Sequence, residues 1–364
     1  MRICAKGENE KMRAAVAMSG GVDSSVAAAL LKEQNIDVCG LTFKMFDRNG
    51  FFKDGEKPCI ADADTESASA VAAKLNIPYR IVNYSADFQN TVVKDFIDTY
   101  KSGGTPNPCV VCNKYIKFGA LLSLAVESGY EKFATGHYAR IECENGRYIL
   151  KRAADRTKDQ TYVLYTLTQE TLSHVLLPLG GYTKKEIREI AASLGFGNAD
   201  RSDSQDICFI PDGDYIGFIE RYTGKPDIPG NFVDCDGNIL GRHHGITHYT
   251  VGQGKKLGIA LGKKVFVNNI DPESGNIMLG DDSELYRNSL DAVNINLISI
   301  PTLESRLRVT AKIRYGTREA SAYVWQTGED SIHVEFDEPQ RAITRGQSVV
   351  LYDGDVVIGG GRII

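Results

Sequence analysis

The sequence predicts an α/β fold, a doubly wound parallel sheet followed by a small central domain and a C-terminal β-barrel. Three observations carry this. An apolar run over residues 14–18 leads through Ser19-Gly20-Gly21-Val22-Asp23-Ser24-Ser25 into a helical pattern over residues 26–31, so a strand, a tight turn and a helix start follow one another. Strand-like and helix-like segments then alternate to about residue 200, which implies parallel strands with ligands bound at their carboxyl ends. Beyond about residue 210 the pattern changes to short alternating runs broken by glycines.

Taken in order, residues 36–43 read as a second strand, 65–75 as an amphipathic helix and 79–82 as a third strand. Residues 88–100 and 115–127 read as helices, 132–135 as a short strand ending at Gly136-His137, and 183–194 as a helix closed by Gly195. Residues 247–251, 264–267 and 276–279 read as strands of the central domain. Residues 305–313, 320–325, 332–336 and 348–352 suggest a small barrel. The expected domains are residues 1–205, 206–285 and 286–364.

A chain of 364 residues is too long for one ordinary core, and its 42% hydrophobic and 24% charged content is that of a globular protein. The opening residues carry charges and no apolar core of a secretion signal, and no run approaches the length of a membrane span, so a cytoplasmic protein with no membrane partner is expected. Eight cysteines are too sparse for a secreted disulfide scaffold. A net charge of -5 argues against a general nucleic-acid binder but leaves room for a local basic face.

The turn at residues 19–25 has the chemistry of an anion cradle. Glycines let the backbone turn its N–H groups toward a phosphate, the hydroxyls of Ser19, Ser24 and Ser25 add donors, and the helix dipole favours the same charge. Asp23 is placed to hold a Mg2+ ion on the phosphates. The stretch lacks the Gly-Lys-Ser/Thr ending that clamps a terminal phosphate in a Walker loop.

A second constellation is made of cysteines. Gly104-Thr105-Pro106-Asn107-Pro108-Cys109-Val110-Val111-Cys112-Asn113-Lys114 lies between two expected helices, and Asp203-Ser204-Gln205-Asp206-Ile207-Cys208-Phe209-Ile210 lies far downstream. Half a zinc site, a dithiol redox pair, a sulfur-handling pair and plain structural cysteines are all compatible with the Cys-x-x-Cys spacing. Zinc lacks a second ligand pair, and a thioredoxin-like pair would open a helix directly after a strand. Cys4, Cys39, Cys59, Cys143 and Cys235 stand without motif context and read as structural.

The Ser19–Ser24 residues, taken with the strand before and the helix after, resemble the signature of the PP-loop ATP pyrophosphatases, which split ATP between its α and β phosphates and adenylate a carbonyl oxygen. More specifically, residues 104–118, Ala134-Thr135-Gly136-His137-Tyr138-Ala139, Lys158-Asp159-Gln160-Thr161-Tyr162, residues 202–210, Tyr249-Thr250-Val251-Gly252-Gln253 and Lys312-Ile313-Arg314-Tyr315 are similar, in order, to the tRNA-specific 2-thiouridylases. That resemblance implies an ATP-dependent enzyme that replaces the oxygen between the ring nitrogens of the wobble uridine, in the anticodon stem-loop of tRNA, with sulfur. It implies phosphate contacts from Ala17, Met18, Ser19, Gly20, Gly21, Val22, Asp23 and Ser24, further nucleotide contacts from Phe43 and Gly136, and substrate contacts from Asn107, Pro108 and Cys109. It assigns tRNA contacts to His137, Lys158, Asp159, Gln160, Arg314, Tyr315 and Gln347. A persulfide on Cys208 would supply sulfur, Cys112 would release it through a transient disulfide, and the sulfur would come from a sulfur-relay carrier, a cysteine desulfurase or free sulfide.

One position departs from the family pattern: Cys109 stands where the best-known members carry an aspartate proposed as a base. With Cys112 and Cys208 it would make three thiolates, the number that leaves one iron of a 4Fe-4S cluster open to hydrosulfide. Additional positive charge at Arg242-His243-His244, Lys255-Lys256, Lys263-Lys264, Arg306, Arg308 and Lys312 is expected to meet tRNA phosphates. The competing readings are another PP-loop adenylating synthetase, for which no glutaminase-like domain is present, and a non-catalytic RNA-binding or iron–sulfur sensing paralogue, which would need neither the phosphate turn nor the cysteines.

Overall fold

The structure, a computed structural model, describes residues 11–45, 62–199 and 207–364. Cys4, Cys59 and the expected site segment Asp203-Ser204-Gln205-Asp206 lie outside the described residues. The chain forms two compact units, one of Met1–Thr91, Cys109–Gly213 and Asp355–Val357, the other of Val92–Pro108, Asp214–Gly354 and Ile358–Ile364.

The first unit is built on a five-stranded parallel sheet. Strand β1 (Arg13–Ala17) lies between β2 (Asp37–Lys44) and β4 (Lys132–Ala134), with β3 (Tyr79–Asn83) outside β2 and β7 (Val175–Leu176) outside β4. Ala14, Ala15 and Val16 of β1 are fully buried, as a strand covered on both faces requires. Helix α1 (Val22–Glu33) contributes Val26, Ala27 and Ala28 to the same core, and α2 (Asp62–Lys74) contributes Ala68 and Val71. Burial of a large aliphatic side chain stabilises by about 1.5–3 kcal/mol, so this alanine-rich seam gains more from close helix–sheet approach than from any single residue. Because β2 and β4 flank β1 on opposite sides, the chain reverses its winding there. The loops leaving β1 and β4 consequently open a crevice at their carboxyl ends. A hairpin of β5 (Ala139–Glu144) and β6 (Arg147–Arg152) follows β4. Nothing in the sequence reading anticipated it, since its alternation is masked by charged residues.

Two expected helices are interrupted. The segment read as one helix over residues 88–100 consists of Ser85–Phe88, a π-helical Gln89–Val93 and Lys94–Lys101. The long helix Pro108–Glu127 passes through a nine-residue π-helical stretch, Asn113–Leu121. It is long and apolar enough to cross a membrane by composition alone, but it buries Cys112, Asn113, Ile116, Phe118 and Leu121 inside the unit.

In the second unit, β8 (Gly230–Val233), β9 (Ile239–His243), β10 (Phe266–Asp271) and β11 (Asn276–Gly280) form a four-stranded sheet in the order β10-β11-β8-β9. Residues 247–251, expected as a strand, instead contain a 3-10 turn at Ile246–His248. Asp227 accepts hydrogen bonds from both the backbone N–H and the hydroxyl of Thr247, and Gly245 and Gly252 hold positive φ on either side, which curls the segment out of extended conformation. The remaining strands, β12 (Tyr286–Leu297), β13 (Leu307–Lys312), β14 (Ala320–Gly328), β15 (Ser331–Arg341), β16 (Ser348–Asp353) and β17 (Val356–Ile363), close as a six-stranded barrel through the β12–β17 pairing. Val309, Val324, Val334 and Leu351 fill its interior.

Candidate active site

The turn after β1 closes tightly on the start of α1. Gly20 has φ +76°, and a Cβ there would collide with the backbone of Asp64. Gly21 is the N-cap of α1 and offers no side-chain cap, so the first N–H groups of the helix face the crevice without a protein partner from the cap. Ser24 and Ser25 point back to the Gly21 carbonyl at 3.1 and 2.9 Å, and Ser24 Oγ also accepts from Ser19 N–H at 3.2 Å. The Gly20 carbonyl accepts from Ser67 Oγ and Asn198 Nδ2, which locks the turn to α2 and to the end of the last helix of this unit.

The second wall comes from the loop after β4. A Cβ on Gly136 would stand 2.8 Å from backbone atoms of Asp23 and Ser24, so only glycine lets this loop close over the start of α1. His137 follows, 8% exposed, with Nδ1 2.8 Å from Thr135 Oγ1. Burial, reinforced by the charge of Lys117, lowers its pKa well below the usual histidine value, so the ring is neutral. Ala17, Met18, Ser19, Asp23, Ser24, Phe43, Lys117, Thr135, Gly136, His137 and Gln160 together line a cavity of about 180 Å³. Phe43, Gly136 and the turn at residues 17–24 thus line one cavity. A larger recess of about 310 Å³ in the second unit, between Gly103, Asn268, Glu284, Arg287 and Arg345, holds no thiol and no phosphate turn.

Two residues of the cleft escaped the sequence reading. Lys184, which opens the helix Lys184–Ser193, places Nζ 2.8 Å from both oxygens of Asp23, and Tyr138 OH donates to the same carboxylate at 2.7 Å. The turn that lacks a Walker lysine therefore has a lysine from elsewhere. Lys117, on the same helix as Cys109 and Cys112, is the other. Asp23 fits a Mg2+ ion in donor type, since that ion takes one or two carboxylates with phosphate and water oxygens, provided Lys184 yields its place.

The thiols lie on the Lys117 side. Pro108, with its fixed φ, opens the helix that carries Cys109 and Cys112. Buried Asn113 donates to Val163 O at 3.0 Å and pins that helix. Cys208 follows Ile207 in a turn closed by Ile210 N–H to Ile207 O, anchored by buried Phe209 edge-on to Phe88. Cys109, Cys112 and Cys208 are all free thiols. Burial pushes the Cys112 thiol up to about 12, opposed first by Lys117 and assisted by the neighbouring charges of Cys208 and Cys109. Burial likewise pushes Cys109 up to about 11, with Cys208 raising and Lys117 lowering it. Cys109 reaches solvent, which fits its smaller displacement. Cys112, the buried one, is therefore protonated at neutral pH in the free protein. No group of three His, Cys, Asp or Glu side chains among the described residues is arranged to hold a metal ion.

The other expected contact residues separate into accessible and internal ones. Asp159 is buried: it accepts from Ala153 N–H and Thr161 Oγ1 and lies 3.7 Å from Arg152. Gln160 accepts from Tyr138 N–H at 2.9 Å and faces the cleft, while Lys158 and Asn107 are half-buried. Arg314 donates to the carbonyls of Ala342 and Val251 and to Thr344, whereas the adjoining Tyr315 is 46% exposed. Gln347 is 9% exposed and donates to the carbonyls of Thr105 and Pro106.

The expected basic density is thinner than the sequence suggests. Lys263 pairs with Asp281, Arg306 with Glu335 and Arg308 with Asp337. His243 is buried and its pKa lowered, chiefly by burial.

Residues 12–212 match the family described as the tRNA methyl transferase HUP domain, 216–281 the tRNA methyl transferase PRC-barrel domain and 287–363 the aminomethyltransferase β-barrel domain. The tRNA-specific 2-thiouridylase MnmA of Clostridium acetobutylicum is 48% identical over 96% of this chain and 98% of its own length. Proteins of the same description from Acetivibrio thermocellus and Clostridioides difficile are each 49% identical, over 97% and 96% of this chain and 99% and 97% of their own. Among solved structures, a 4-thiouridine synthetase–RNA complex with bound ATP aligns with 55% of this chain and 45% of its own at 18% identity and a TM-score of 0.34, a likeness too low to bear on function.

Proposed function

The chain belongs to the tRNA-specific 2-thiouridylase family, and from that premise we propose that it carries out ATP-dependent 2-thiolation of the wobble uridine of tRNA. The observation that carries this reading is the cleft in which the turn after β1, Phe43, Gly136 and Lys117 meet, with Cys109 and Cys112 on the same helix as Lys117. The methyl-transfer wording of the matched domains has no such support, since methyl transfer needs neither an adenylating cleft nor paired thiols.

In the proposed reaction the α1 start and the Ser19 hydroxyl orient the phosphates of ATP, with the adenosine against Phe43. A Mg2+ ion held at Asp23 would neutralise phosphate charge. The uridine 2-oxygen attacks the α-phosphorus and pyrophosphate leaves. The outer sulfur of a persulfide on Cys208 then attacks C2 and AMP departs, leaving the base joined to Cys208 through a disulfide. Cys112 attacks the Cys208 sulfur, the S–S bond to the base breaks, and 2-thiouridine leaves as a Cys112–Cys208 disulfide forms. A dithiol reductant reopens that disulfide before the next round. A protein persulfide donor loads Cys208, whose thiolate attacks the donor's outer sulfur and releases the donor's own thiolate. Extruding the wobble base from a single-stranded loop costs less than opening a duplex.

Mass analysis of wobble nucleosides in cells deleted for this gene, and carrying no second copy, tests the reading. Loss of 2-thiouridine is expected; an unchanged amount would refute it.

A further inference from the structure

Lys117 occupies a position that no other cation shares among the described residues of the first unit. It lines the same cavity as Ser19, Asp23 and Ser24 of the phosphate turn and as His137, and it follows Cys112 by five residues on the helix Pro108–Glu127, about one turn where that helix is π-helical, so the two lie on one face; its charge opposes the burial that raises the Cys112 thiol. Lys184, the other ammonium close to the turn, is held by both oxygens of Asp23. Lys117 by contrast makes no ion pair or hydrogen bond with any described residue. It rides on the π-helical stretch Asn113–Leu121, where the extra residue per turn turns a side chain away from its α-helical direction. Such insertions recur at functional sites. The helix itself is pinned on either side of it, by Asn113 to Val163 O and by buried Phe118 against Phe133.

Resting on the thiolation reading above, we infer that Lys117 is a catalytic cation shared by the two half-reactions. While ATP is bound, its ammonium lies against the α-phosphate and takes up the charge that develops as the uridine oxygen attacks. Once AMP has left, the same ammonium faces the thiols and stabilises the Cys112 thiolate that must break the sulfur bridge. The site thereby restrains its nucleophile until adenylation is complete: phosphate holds the activating charge first, and the buried thiol stays protonated meanwhile. No atom is transferred to Lys117 and no oxidant is needed.

The test compares Lys117→Met and Lys117→Arg in the full-length protein by two readouts. One is pyrophosphate release from ATP with unmodified tRNA. The other is the pH dependence of Cys112 alkylation by iodoacetamide in the free protein, located by peptide mass spectrometry. Lys117→Met is expected to slow pyrophosphate release by about 100-fold, the order found on removing one charge-stabilising donor, and to move the Cys112 profile to higher pH. Lys117→Arg is expected to keep the Cys112 profile and most of the pyrophosphate release. A Lys117→Met protein that changes neither readout, or only one, overturns the shared role, as does a Lys117→Arg protein as impaired as the methionine variant. If Lys117→Met fails to fold, Lys117→Gln is read against Lys117→Arg by the same criteria. The alkylation arm needs no tRNA, so it judges Lys117 even if the wild-type protein makes no 2-thiouridine, an outcome that would count against the function and not against the cation.

Discussion

Lys184 Nζ stands 2.8 Å from both carboxylate oxygens of Asp23, joining the acidic residue of the phosphate turn to a cation 161 positions further along the chain. The lysine is 11% exposed and the aspartate 31%, so the pair is only partly screened by water. Tyr138 OH donates to the same carboxylate and keeps it aimed into the cleft.

Removing Lys184 should uncover Asp23 as a cation ligand. Lys184→Met is expected to lose about 1.5–3 kcal/mol of stability, the usual worth of a charged hydrogen bond. Mg2+ alone should then raise the melting temperature of the variant more than that of the wild type. Equal Mg2+ responses in thermal scans would mean that Asp23 does not take the ion.

The two glycines of the turn should behave differently. A Cβ at Gly20 meets the Asp64 backbone in a left-handed conformation, whereas one at Gly21 meets nothing closer than Ser19 Oγ at 3.5 Å. Gly20→Ala is therefore expected to abolish stabilisation by MgATP in thermal scans and Gly21→Ala to retain most of it. The reverse order would contradict the geometry of the cradle.

His137 should confer acid sensitivity. Its pKa is lowered well below 6.5 by burial and by Lys117, so the folded protein keeps a neutral ring. Below pH 6.5 the unfolded chain binds a proton that the folded chain refuses, so stability is full above that pH and falls as pH decreases until the folded ring itself titrates. One proton corresponds to about 1.4 kcal/mol per pH unit. Denaturant titrations of His137→Gln should show a stability loss between pH 6.5 and 5.5 that is smaller than the wild type's by up to about that amount; parallel curves would mean a charged ring in the fold.

Gln347 should act on the loop ahead of the cysteines. Its amide donates to the Thr105 and Pro106 carbonyls at 3.1 and 3.0 Å. Gln347→Ala is expected to accelerate hydrogen exchange at Thr105 N–H, which donates to Arg345 O. Unchanged exchange there, with weakened tRNA binding, would favour direct RNA contact instead.

What was legible in the sequence was local. The phosphate turn declares itself because Ser19 to Ser25 sit between an apolar strand and an apolar helix, and the first three strands follow from runs such as residues 36–43. Lys184 was invisible as a site residue because a Thr-Lys-Lys-Glu sequence reads as a helix start, which it also is: Thr183 and Glu186 form its capping box. Lys117 was hidden because nothing in a 3.6-residue period reports a π-helical stretch. Asp159 and Gln347 look like surface polar residues in sequence, and only the fold reveals that their polar atoms close internal hydrogen bonds. The curl at Ile246–His248 depends on Asp227, nineteen positions upstream of its start, a pairing that strand propensity cannot encode.

The most direct measurement is a single-turnover assay in which purified protein, loaded with persulfide at Cys208, is mixed with MgATP and unmodified tRNA and the wobble nucleoside is quantified by mass. Wild-type protein is expected to yield one 2-thiouridine per loaded Cys208 with one pyrophosphate released, and Cys208→Ser to yield none while still releasing pyrophosphate. Formation of 2-thiouridine by Cys208→Ser at the wild-type rate would contradict sulfur delivery through this thiol.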